Sequence, residues 1–238
     1  MAPERDGVSP EDRRAAEAQT AARRLRALRA AMLGCVRCEA LVKCRSRVVP
    51  GDGAAPAVVA FVGLAPGRLG GDRTGIPFSG DRSGDLLRRM IARAGLTRVF
   101  ITNLVRCNPR DARGRNRDPA AREIANCRAH LAAELALVRP RVVACLGALA
   151  WREMAGREAP FNPRRPRARA GLTMLLYPMY HPGYVIRGAY AEQAYARDFA
   201  RLARMLRRPV NGASAPRTLR RRGPRTIARR SKRNPTQE

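Results

Sequence analysis

Three polar side chains stand where short apolar runs give way to turns. Asp81 ends the stretch that opens Gly63-Leu64-Ala65-Pro66-Gly67 and closes Phe78-Ser79-Gly80-Asp81. Asn103 lies in Thr102-Asn103-Leu104-Val105-Arg106-Cys107, and His181 in Tyr180-His181-Pro182-Gly183-Tyr184. A carboxylate supplies negative charge or orients water, and an imidazole donates a hydrogen bond or a proton. A carboxamide sets a donor beside an acceptor on a short arm, which suits the edge of a pyrimidine base. Each residue also has a plainer reading: Asp before a helix is commonly an N-cap, and Asn in a turn is commonly just a turn former. Convergence of the three on one rim would outweigh those readings. The segment 63–81 holds six glycines and two prolines, with Phe78 as its one aromatic. Such a loop can bring its backbone close to a ligand, but it is neither a phosphate-binding P-loop nor a dinucleotide fingerprint.

Sulfur supplies a second constellation. Of six cysteines, Cys35 and Cys38 form a C-x-x-C pair, and Cys107 and Cys127 lie far downstream. Four thiolates can hold tetrahedral zinc or a [4Fe–4S] cluster, and a reducing compartment favours either over disulfides. Cys44 is close enough to Cys38 to be a substitute ligand, whereas Cys145 sits in an apolar run as a small buried hydrophobe. The other of the two histidines, His130, falls within a helical pattern as a surface or packing residue.

Elements must position these groups. Ser9 can cap a helix that starts at Pro10 and runs from Glu11 to Met32, with Leu25, Leu28 and Met32 at helical spacing. Four apolar runs, Val58–Leu64, Val99–Val105, Val142–Leu146 and Met174–Met179, show little alternation, as strands covered on both faces should. Helical patterns occupy Gly84–Ala94, Pro119–Val138 with Asp118 as cap, Ala148–Ala155 and Ala191–Leu206. Strand alternating with helix predicts an α/β fold with a mainly parallel sheet, whose ligands bind outside the carboxyl ends of the strands. The chain divides into an N-terminal helical extension (1–32), a main domain (33–208) and a basic tail (209–238).

The 238 residues carry 48 Lys plus Arg against 19 Asp plus Glu, a net charge of +29, and all but Lys43 and Lys232 of the basic residues are arginine. A hydrophobic fraction of 45% supports a core and excludes a wholly disordered basic protein. The charge implies a polyanionic partner, although codon bias in a GC-rich genome also enriches arginine. Nine basic residues and one acidic residue in Arg217–Glu238 suit a salt-sensitive tether to a phosphate backbone. No apolar leader segment and no run of some 18 apolar residues is present, so a soluble cytoplasmic protein with no membrane partner is expected.

Taken in order, Cys35-x-x-Cys38, Arg47-Val48-Val49-x-Gly51-x-Gly53, Gly63-Leu64-Ala65-Pro66-Gly67, Arg73-Thr74-Gly75-Ile76-Pro77-Phe78, Thr102-Asn103-Leu104-Val105-Arg106-Cys107, Cys127 and His181-Pro182 resemble the iron–sulphur uracil-DNA glycosylases of families four and five. The resemblance covers roughly Cys35 to Arg187. It implies a three-layer αβα uracil-DNA glycosylase fold around a four-stranded mainly parallel sheet, and a [4Fe–4S] cluster on Cys35, Cys38, Cys107 and Cys127. It implies that Gly63, Leu64, Ala65, Phe78, Asn103 and His181 bind the base, with Phe78 stacking and Asn103 reading its polar edge, while Asp81, Asn103 and His181 carry the chemistry.

Arg187 and Tyr184, in the segment up to Tyr190, are the expected DNA probes. Leu64 stands where family four has a Glu, and Asp81 matches the acid of family five. His181-Pro182-Gly183 departs from His-Pro-Ser, so a hydrogen bond offered by that Ser must come from backbone or be lost. The implied partner is DNA containing uracil or another deaminated base such as hypoxanthine, met by a monomer at a bacterial nucleoid. A non-catalytic iron–sulphur DNA-binding protein of the same fold is the alternative.

Overall fold

A computed structural model describes residues 9–163, 165, 167–168 and 174–207. The expected tail, 209–238, lies outside them, as does the start of the N-terminal extension.

Helix α1 (Pro10–Leu33) begins as its sequence dictates: Pro10 occupies the first turn, and the Ser9 hydroxyl accepts the Asp12 N–H at 3.1 Å. Its apolar stripe buries Leu25 and Met32 in the main core. The short α2 (Glu39–Cys44) follows the C-x-x-C pair. The remaining elements are β1 (Asp52–Gly53), β2 (Val59–Gly63), α3 (Gly71–Thr74), α4 (Arg82–Arg93), β3 (Val99–Asn103), α5 (Ala121–Val138), β4 (Val142–Leu146), α6 (Ala148–Ala155), β5 (Arg167–Ala168), β6 (Leu175–Met179), α7 (Pro182–Ile186) and α8 (Glu192–Arg207).

The strands form one sheet in the order β1-β3-β2-β4-β6-β5, in which β3, β2, β4 and β6 are parallel and the two-residue edges are antiparallel. The four apolar runs are thus the central strands, and the edges are additions too short to carry a hydrophobic signature. Alternate residues feed two cores. Ala60, Val62, Val143 and Cys145 pack towards α1, α2, α5 and α6, whereas Val59, Phe61, Ala144 and Tyr177 pack towards α4, α7 and α8. Covering both faces makes three layers and explains the lack of alternation.

Two local readings are corrected. Helix α5 starts at Ala121 with Ala120 as its N-cap, not at Asp118. The Glu123 carboxylate supplies the start signal by accepting the Ala120 N–H at 2.7 Å, and it is held in turn by Arg117. The segment Tyr184–Tyr190, read from the sequence as a loop, is helical at its start: Tyr184 to Ile186 belong to the turn α7.

The chain leaves β2 for helix α4 on one face of the sheet and leaves β3 and β4 for helices on the other. The carboxyl end of β2 is therefore a switch point, where diverging loops open a crevice.

Candidate active site

That crevice is a cleft of about 720 Å³, and Leu64, Ala65, Phe78, Asp81, Asn103 and His181 all line it. Gly63 does not line it but lies behind it. Parallel pairing sets Gly63 beside Asn103. A Cβ on Gly63 would fall 2.5 Å from the Asn103 Oδ1 and 2.7 Å from the Phe78 ring. The missing side chain is what lets the amide and the ring approach one another.

Asn103 is buried, and neither its Nδ2 nor its Oδ1 has a hydrogen-bond partner among the described residues. A buried amide left unpaired costs about 1–3 kcal/mol per group, so the fold holds this side chain against its own stability. Its backbone is fixed from below. The buried Arg106 guanidinium donates to the Asn103 and Leu104 carbonyls and pairs with the buried Glu134 carboxylate. Glu134 also accepts from the Thr102 hydroxyl and the Gly51 N–H, both at 2.7 Å.

Phe78 has a φ of 49°, a conformation that bulky residues avoid outside tightly determined sites. Arg88 clamps it by donating to the Phe78 and Pro77 carbonyls at 2.9 and 3.0 Å, and the buried Gly84 allows the first turn of α4 to press against its backbone. The ring faces His181 with centroids 5.6 Å apart.

Asp81 is both a cap and a cleft residue. Its Oδ1 accepts the Gly84 N–H at 2.8 Å, starting α4. The other oxygen lies over Gly70, where a Cβ would sit only 2.1 Å away. One carboxylate oxygen thus remains available beside the cleft.

His181 caps α7 by accepting the Gly183 N–H on Nδ1 at 3.0 Å. An acceptor at Nδ1 leaves the ring proton on Nε2. Burial, helped by the Arg187 charge and opposed by Asp81, lowers its pKa from 6.5 to about 4. The imidazole is neutral near pH 7, so its chemistry suits donation of a hydrogen bond from Nε2 more than transfer of a proton.

At the rim, Tyr184 is 42% exposed and stacks on Tyr180 at 5.3 Å, with planes 6° apart. Arg187 is exposed beside it. Tyr190, by contrast, packs against Tyr180 and donates its hydroxyl to Asp198 at 2.8 Å, which removes it from the set of DNA probes.

The four proposed cysteine ligands line a separate small cavity that lacks any carboxylate. Cys44 is not among its lining residues; its thiol donates to the Asn108 and Leu41 carbonyls. Cys145 is buried in β4 as expected. Burial raises the Cys107 thiol to about 11 and raises Cys127 as well, so both are protonated until a cation displaces the protons. Among the described residues, no group of three or more His, Cys, Asp or Glu side chains gathers closely enough to hold a metal ion.

Of the two readings for His130, surface or packing, the half-buried side chain fits the second: its Nε2 lies 3.4 Å from the Cys35 sulfur. The spacing of Cys127, His130 and Glu134 along one face of α5 was the available signal, because residues three and four apart share a helix face.

A sequence profile described as the uracil DNA glycosylase superfamily matches residues 50–205. A type-4 uracil-DNA glycosylase of Archaeoglobus fulgidus is 33% identical over 73% of this chain and 89% of that protein. Two proteins of Pyrobaculum aerophilum are each 35% identical. One is a type-5 uracil-DNA glycosylase, aligned over 63% of this chain and 79% of its own length. The other is a type-4 uracil-DNA glycosylase, aligned over 70% and 86%.

Proposed function

The chain belongs to the uracil DNA glycosylase superfamily, and from that premise we propose that it removes uracil from DNA by hydrolysing the N-glycosidic bond, leaving an abasic site. The observation that carries this reading is the unpartnered amide of Asn103, buried beside Phe78 and His181 in one cleft.

The target nucleotide must leave the helix, since the C1′–N bond is inaccessible within the stack. Phe78 then stacks the extruded base, and Asn103 pairs with its amide edge. Cytosine offers the reverse donor and acceptor pattern, so the amide orientation that pairs with uracil mismatches it. Cleavage builds negative charge on the departing uracil and positive charge on the sugar. The Nε2–H of His181 donates to the uracil O2, stabilising the anion without transferring a proton. Asp81, with one oxygen free of the cap, orients water or offsets the sugar cation. Leu64 stands where the resemblance to family four places a Glu, and we assign that task to Asp81, which lines the cleft. Tyr184 and Arg187 meet the DNA at the rim.

Cys35, Cys38, Cys107 and Cys127 would hold a [4Fe–4S] cluster. The donor set fits: four thiols surround one cavity, and a multi-iron cluster keeps its cysteines further apart than a single zinc, whose sulfurs lie about 2.3 Å from one ion. When bound, the cluster supplies a structural crosslink between the C-x-x-C turn, the end of β3 and α5.

No helix among the described residues is long and apolar enough to cross a membrane. We place the protein, as a monomer, in the cytoplasm with DNA. The experiment that tests the reading is a panel of labelled oligonucleotides carrying U:G, U:A, hypoxanthine:T or single-stranded uracil, assayed for abasic sites. Cleavage at uracil is expected. DNA binding without base release on any substrate would instead favour the non-catalytic binder.

A further inference from the structure

Each of the four cysteine sulfurs that line this cavity is met by a hydrogen-bonding group from a different residue. Arg45 Nη1 donates to Cys107 at 3.1 Å, Asn126 Nδ2 to Cys38 at 3.4 Å and the Arg106 backbone N–H to Cys127 at 3.3 Å, while His130 Nε2 stands 3.4 Å from Cys35. One polar partner per sulfur, from helix α5 and two loops, makes an outer shell. None of these residues lines the base-binding cleft, and uracil excision assigns the side chains of Arg45, Asn126 and His130 no task.

Asn126 also ties the shell together. Its amide donates to the Arg37 carbonyl at 3.1 Å, and Arg37 donates back to the Asn126 carbonyl at 3.5 Å. The C-x-x-C turn is thereby pinned to α5 independently of any metal. The cavity carries Arg37, Arg45 and Arg106 but no acidic lining residue, and only Arg106 has its charge matched by a buried carboxylate.

We propose that Arg45, Asn126 and His130 form a hydrogen-bonding cradle that retains the iron–sulphur cluster and raises its reduction potential. The proposal rests on the cluster reading above. The physics is that of outer-shell tuning: an N–H donor withdraws electron density from a thiolate sulfur, and adjacent positive charge stabilises the more negative reduced cluster. Arg45, which brings both a donor and a charge, should contribute most. Asn126 brings a donor alone.

The test uses the full-length protein purified without oxygen, with iron and sulfide analysed first. Arg45→Met, Asn126→Leu and His130→Phe are then compared by electrode titration followed in the visible spectrum, alongside the rate at which absorbance bleaches in air. The expected result is a lower potential and faster bleaching in each variant, largest for Arg45→Met, with Arg45→Lys recovering part of both. Uracil excision by freshly loaded variants should stay within about threefold of the unaltered protein. Potentials and bleaching rates that do not move in fully loaded variants overturn the cradle and leave the cluster standing. Unaltered protein that carries no iron overturns the cluster reading itself.

Discussion

The Gly183 N–H donates to Nδ1 of His181 at 3.0 Å, and that one bond decides which ring nitrogen faces the cleft as a donor. Because the pKa is lowered to about 4, chiefly by burial, the imidazole is neutral at the pH of use. The single-turnover rate of uracil release should therefore show no titration near 6.5, the ordinary histidine value. An inflection there, absent in His181→Ala, would contradict the assignment. His181→Ala itself should slow release by about a hundredfold or more while DNA binding, read by anisotropy, is retained.

The same shift links to stability. Between pH 6.5 and about 4 the unfolded chain protonates this histidine and the folded chain does not. The unfolded state then binds more protons, so this contribution to stability is present above pH 6.5 and is lost as pH falls through that window. Thermal unfolding should show a loss from pH 7 to pH 4 that is smaller in His181→Ala than in the unaltered protein.

Asp81 offers a clean separation of cap from charge. Asn caps helices as well as Asp does, so Asp81→Asn should keep the melting temperature while slowing uracil release by about a hundredfold. Asp81→Ala should lose the cap too, at a cost of about 1 kcal/mol. Equal activity in Asp81→Asn and unaltered protein would leave the carboxylate with a capping role only.

Gly63→Ala tests the floor of the cleft. The added carbon would fall 2.5 Å from Asn103 Oδ1 and 2.7 Å from the Phe78 ring. Displacing either by about 1 Å should slow release by roughly a hundredfold. Iron content, measured in parallel, should not change, because the cysteine cavity is separate.

Glu134→Gln should strike stability first. It leaves the buried Arg106 without its counter-charge, which costs about 3–5 kcal/mol and lowers the melting temperature by roughly 10 °C. Replacing both partners, as Arg106→Met with Glu134→Leu, should recover most of the melting temperature. It should not recover the rate, since the Asn103 carbonyl loses its anchor.

Much of this architecture was legible before any coordinates. Unbroken apolar runs named the four central strands to within a residue or two, because burial on both faces is written in local composition. Ser9 and Pro10 marked the first helix, and the strand-end rule placed Asp81, Asn103 and His181 on one rim. The two-residue edge strands and α7 were not legible: each is too short to show a period and exists through its neighbours.

Partnership was decided by the tertiary structure alone. The sequence offered Asn103 as a turn former or a reader, and only the packed fold leaves its amide buried and unpaired. It offered His181 as acid or donor, and only the bond from Gly183, with burial, makes it a neutral donor. It offered His130 as a surface or packing residue, and only α5 turns it towards Cys35, which is 95 positions away in the chain. Secondary structure follows from residues that are neighbours in sequence. Hydrogen-bond partners and electrostatic surroundings follow from segments that meet only when the sheet has set their register.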